Sequence, residues 1–140
     1  MKTTTAAALL SFTLVLTFAA APLSAADRLR AGQWEITTTR PNRPTTTVKY
    51  CVGAEEATSI NGDEKAGRDY SEKKSGKGCK MNEFKLNGLS ASYGMTCAGM
   101  TIRSSITYHG DSYEGEQVVK PAEGPELVSH FKAKRLGNCP

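Results

Sequence analysis

Residues 79–97 read CKMNEFKLNGLSASYGMTC, and this stretch decides the fold. Two runs flank Asn87-Gly88, a dipeptide that tolerates left-handed backbone and so marks a hairpin. On the returning run Leu89, Ala91, Tyr93, Met95 and Cys97 share one face, with Ser90, Ser92, Gly94 and Thr96 on the other. Alternation of this kind belongs to a strand with one buried face. If Asn87-Gly88-Leu89 forms a three-residue loop, Leu86 opposes Ser90, Met81 opposes Met95 and Cys79 opposes Cys97. That register predicts a Cys79–Cys97 disulfide and leaves Cys51 for Cys139. A strict two-residue turn would miss it by one, and the alternative pairing, Cys51–Cys79 with Cys97–Cys139, stays open.

The same alternation continues outward. Met100 to His109 sets Met100, Ile102, Ile106 and Tyr108 against Thr101, Arg103, Ser105 and Thr107. Gly110-Asp111 turns into Tyr113–Lys120, and residues 121–125 turn again into Leu127–Leu136. Upstream, Gln33 to Arg40 and Thr45 to Val52 are two further strands, separated by the proline-bearing Arg40–Pro44. The reading is mainly β: an antiparallel meander of about seven strands, curling into a barrel or half-barrel to hide its edges. Ala54–Ala57 is the one short helix expected. The polar, glycine-punctuated stretch 61–78, with lysines and acids nearly balanced, is expected to be a flexible solvated loop.

The N-terminus limits where this domain works. Met1-Lys2 precedes a nearly apolar run from Ala6 to Ala21, Pro22 breaks it, and Ser24-Ala25-Ala26 supplies small residues. This predicts a signal peptide, residues 1–26, cleaved after Ala26. Cleavage leaves residues 27–140 as a single domain, and loss of Lys2 lowers the formal charge from +4 to +3. So mild a charge gives no argument for nucleic acid, and no transmembrane segment is expected after cleavage. Four cysteines in a short exported chain read as two disulfides, and none of their spacings matches a zinc-ligand pattern. The expected location is the periplasm or the exterior.

Chemistry-bearing motifs are absent from the sequence. It has no Gly-x-Ser-x-Gly, no His-Glu-x-x-His and no phosphate-cradling glycine loop. Its two histidines, His109 and His130, fall on non-adjacent strands. Glu114 and Glu116 share a strand face, as any i, i+2 pair does, and are read as a solvated edge. No catalytic residue, metal site or cofactor is expected. His130, Lys132 and Lys134 share a face of the last strand, with Arg135 beside them. They form a candidate patch for an anionic partner, read in the first place as lysines guarding an edge.

The opening Gly32-Gln33-Trp34-Glu35-Ile36-Thr37-Thr38, the turn Tyr108-His109-Gly110-Asp111-Ser112-Tyr113-Glu114-Gly115, and the ending Ala133-Lys134-Arg135-Leu136-Gly137-Asn138-Cys139-Pro140 make a further pattern. With the cysteine after the second strand and the Cys79–Cys97 hairpin, it resembles a family of exported proteobacterial proteins catalogued as domain of unknown function 3617. The resemblance spans the mature chain. It implies an envelope location and a small cysteine-linked domain, and it brings no activity. Many members carry a methionine- and proline-rich stretch after the first strand, inviting soft copper(I). Arg40–Pro44 here has no methionine, which removes most of the case for copper.

The expectation is therefore a non-enzymatic module that binds a small apolar ligand, lined by Trp34, Tyr93, Met95, Met100 and Tyr108. The alternative is a structural or protein-interaction domain of the envelope, with those side chains packed as a filled core.

Overall fold

A computed structural model describes residues 28–140. The expected signal peptide, residues 1–26, and its expected cleavage point lie outside these residues. Seven strands form one antiparallel sheet: β1 (Gly32–Thr39), β2 (Thr46–Val52), β3 (Cys79–Asn87), β4 (Ser90–Cys97), β5 (Met100–Tyr108), β6 (Ser112–Lys120) and β7 (Leu127–Gly137). Each expected strand is present to within a residue or two.

The spatial order is β2-β1-β7-β6-β5-β4-β3. β3 to β7 form the expected meander, and the β1–β2 hairpin joins it through β1 against β7. The sheet does not close. β2 and β3 are its two edges, so the barrel expectation is corrected to an open sheet. In place of closure, the chain leaves edge β2 and forms α1 (Ala54–Asn61) and α2 (Glu64–Ser75) before entering edge β3. The helices contact each other, and α2 packs on β3.

Two helices replace the single one expected, and α2 occupies most of the stretch read as a flexible loop. Composition concealed it, since Ala66 and Tyr70 are almost its only apolar residues. Its supports are local. The Asp63 side chain caps the first turn, accepting from the Ala66 N–H at 2.8 Å. Lys65–Asp69 and Arg68–Glu72 pair at i, i+4. Glu64 opens the helix and Lys73 and Lys74 close it, matching its dipole. Gly76, at φ 79°, ends it in a conformation glycine adopts without strain. On the packed side Gly67 is buried, and a Cβ there would lie 2.7 Å from Phe84 Cζ. The bare backbone lets the helix rest on that ring.

The β3–β4 hairpin reaches the expected cysteine register by another route. Its turn has two residues, Gly88 and Leu89, with Asn87 opposite Ser90 and Gly88 at φ 57°. Alone that would leave the cysteines one residue out. A bulge between Met81 and Glu83 resets the ladder, so Met81 opposes Met95 and Cys79 opposes Cys97. The extra residue also shifts the alternation, which is why Met81 and Phe84 are both buried. Both disulfides form as first paired, Cys79–Cys97 and Cys51–Cys139. The second joins β2 to the end of the chain.

The core lies between the inner sheet face and the helices. Trp34, fully buried, packs with Leu29, Val52, Ala57, Ala91, Tyr108 and Ala133, and a second group joins Met81, Phe84 and Met95. Trp34 Nε1 donates to the Arg30 carbonyl at 3.0 Å, which satisfies its one polar atom. Arg28, also buried, donates to the carbonyls of Gly88, Ile60 and Gly62. It thereby fastens the segment before β1 to the C-terminal end of α1 and to the β3–β4 turn.

Candidate functional site

A cavity of about 420 Å³ lies between the inner sheet face and both helices. This volume falls in the ordinary range for small-molecule pockets, about 300–1,000 Å³. Grooves of about 480 and 590 Å³ also exist, at the Arg40–Ser129 rim and on the outer face, but neither is roofed by a helix. α1 contributes Glu56 and Ile60 to the wall, and α2 contributes Tyr70 and Lys74. The strands add Phe84, Ala91, Tyr93, Met95, Ile106, Tyr108, Tyr113 and Phe131, with Ser104 and Gln117 as polar exceptions.

Five tyrosines occur in the sequence, and all five gather here. Tyr70, Tyr93, Tyr108 and Tyr113 line the cavity. Tyr50, on edge strand β2, reaches its wall by donating to Glu56 Oε2 at 2.7 Å. Tyr70 donates to the same oxygen at 3.1 Å. One carboxylate on α1 therefore joins the edge of the sheet to α2. The Tyr113 ring is central, 5.8 Å from Tyr108, 6.2 Å from Phe131 and 5.2 Å from Trp34 between centroids. Such offsets suit attraction between ring edges and faces. Lys74 Nζ sits 5.4 Å from the Tyr70 centroid, within cation–π reach.

Four of these phenols, those of Tyr50, Tyr70, Tyr108 and Tyr113, are held neutral beyond their ordinary range. Tyr50 is pushed up to about 12, chiefly by its hydrogen bond to Glu56. Tyr70 and Tyr113 also rise to about 12, chiefly through burial and then through the Glu56 charge. Burial raises Tyr108 as well.

Of the residues expected to line a ligand site, Tyr93, Met95 and Tyr108 border the cavity. Trp34 lies beneath it as core, and Met100 is exposed where β5 begins. Glu56, Tyr70 and Tyr113 were not anticipated. The reading of 61–78 as a loop hid Tyr70, and Glu56 looked like an ordinary acid at the start of a helix.

The cationic patch on β7 is not an edge guard, because β7 lies inside the sheet between β1 and β6. On the outer face Lys134 pairs with Glu35 at 3.0 Å, Lys132 Nζ lies 3.7 Å from Glu114, and His130 Nδ1 lies 3.6 Å from Glu116. Glu114 and Glu116 are likewise on an interior strand, facing these cations and not an open edge. Arg135 stands apart from the patch, donating to the Ala31 carbonyl and to Asn138.

A family model described as "Protein of unknown function (DUF3617)" matches residues 29–139. The chain belongs to this family. The DUF3617 match begins at Leu29 in the core and ends at Cys139, so it takes in the whole sheet, both helices and both disulfides. No curated protein and no solved structure matches the chain. The two disulfides suit an oxidising, extracytoplasmic compartment. Among the described residues no helix is long and apolar enough to cross a membrane.

Proposed function

We propose that this DUF3617 protein is an exported, non-enzymatic module of the cell envelope that holds a small apolar ligand under its helices. The observation that carries the reading is the cavity itself, walled by Phe84, Met95, Ile106 and Phe131 and by tyrosine rings. Apolar walls with a few placed polar groups are the usual form of a small-ligand site. The signal-peptide pattern of residues 1–26 and the two disulfides support export to the periplasm.

Native mass spectrometry on protein exported through its own signal tests this. The expected result is added mass that leaves on denaturation and is lost in Ala91→Phe, which places a ring in the cavity wall. A wild-type chain that arrives bare and takes up no octanol overturns the reading. A second reading, a protein-interaction domain, is favoured by edge strand β2, where Val48 and Tyr50 are 56% and 44% exposed. An unpaired edge can accept a strand from a partner. Concentration-dependent self-association, or capture of a defined envelope protein abolished by Val48→Pro, would support it.

A further inference from the structure

The charge arrangement of the cavity indicates which apolar ligands it accepts, given that it is a ligand site. Glu56 is half-buried in the wall. Its two donors among the described residues, Tyr50 and Tyr70, both use its Oε2. Its Oε1 has no hydrogen-bond partner among the described residues, and the carboxylate forms no ion pair there. Its neighbour on α1, Glu55, takes Lys73 at 2.8 Å. The same cavity is lined by Tyr93, Tyr108, Tyr113 and Phe131, aromatic rings whose π-clouds attract cations and repel anions.

Among the described residues the one ammonium that lines the cavity is Lys74, which is exposed and lies over the Tyr70 ring. It is tethered by a long flexible stem and can move into water, whereas Glu56 is fixed by two hydrogen bonds. Of the charges that line the cavity, the fixed one is therefore negative; the buried Arg28 guanidinium, whose charge reaches Tyr108, lies outside the lining and is held by the carbonyls of Gly88, Ile60 and Gly62.

We propose that the cavity selects apolar ligands bearing an ammonium group, which seats against Glu56 and the tyrosine rings while the apolar part enters between helices and sheet. A primary or quaternary amine satisfies this chemistry equally well. The Lys74 ammonium competes for the same aromatic surface and so weakens binding in the unliganded protein.

Isothermal titration at low ionic strength, with octyltrimethylammonium, octanol and octanoate below micelle formation, tests the proposal. The cation is expected to bind at least about tenfold more tightly than octanol, and octanoate more weakly than either. In Glu56→Gln the cation-to-octanol affinity ratio falls toward one. In Lys74→Gln, a change at an exposed side chain, cation affinity rises. Octanoate binding as tightly as the cation, or a cation advantage that survives Glu56→Gln, overturns the selectivity and leaves the cavity as a plain apolar site. Failure of all three probes to bind overturns the ligand-site reading with it.

Discussion

Trp34 on β1 and Tyr113 on β6 are 5.2 Å apart between ring centroids, although β7 runs between their strands. They meet because Ala133, the β7 residue paired with both Ile36 and Tyr113, is small and buried beneath them. Ala133→Leu should drive the two rings apart and strain the core. We expect a loss of about 1–3 kcal/mol, read by urea denaturation. Since Trp34 is the sole tryptophan and fully buried, its emission should also shift to the red in the folded variant. An unchanged midpoint would show that the inner face tolerates bulk at this strand.

Gly67 sets helix propensity against packing. In an exposed helix, glycine to alanine stabilises by about 1 kcal/mol. Here the new Cβ would lie 2.7 Å from Phe84 Cζ, and relief of overpacking typically costs about 1–3 kcal/mol. Gly67→Ala should therefore destabilise, and adding Phe84→Leu should recover much of the loss. A Gly67→Ala variant more stable than wild type would mean that α2 does not bear on the sheet at this point.

The two disulfides differ in reach. Cys51–Cys139 spans a sequence separation of 88 and Cys79–Cys97 one of 18. The chain-entropy relation assigns them about 4.6 and about 3 kcal/mol. Serine replacement of the Cys51–Cys139 pair should therefore lower the urea midpoint more than replacement of the Cys79–Cys97 pair, by the equivalent of about 1–2 kcal/mol. The opposite order would identify the bulged hairpin as the more demanding element.

The tyrosines make the protein sensitive to alkali. A phenol whose folded pKa exceeds its unfolded value favours folding fully below the unfolded value and loses that contribution as pH rises through the folded one. For Tyr50, Tyr70 and Tyr113 this window runs from 10.0 to about 12. Stability should hold to pH 10 and then fall. In the tyrosinate absorbance, Tyr50, Tyr70 and Tyr113 should titrate near 12 in the folded protein and near 10 in urea. Glu56→Gln should move Tyr50 back toward 10, because the Glu56 hydrogen bond is the main cause of its shift.

The strands were readable because each carries its own alternation, and local turn signals fix where they end. The Cys79–Cys97 pairing was read from a three-residue loop that does not form; the two-residue turn and the bulge offset each other and give the same partners. The bulge at Asn82 that enforces this register left no mark in composition. The helix α2 was hidden because its support comes from a cap, two ion pairs and one glycine, none of which raises mean hydropathy. The insertion of β1 beside β7 could not be read either, since nothing local records which distant strand a first strand will join. The site suffered most from this. Its tyrosines come from β2, α2, β4, β5 and β6, and only the assembled fold gathers them about one cavity.

The place of β7 bears on when the sheet can form. Its partners are β1, the first strand of the sheet, and β6, and its own residues, Leu127–Gly137, form the last of the seven strands. Until β7 pairs, β1 has only β2 beside it, and an isolated hairpin is marginal in water. Pairings so distant in sequence are slow to form, so docking of β7 is the step that unites the β1–β2 hairpin with the meander, and the Cys51–Cys139 bond locks the same two regions together.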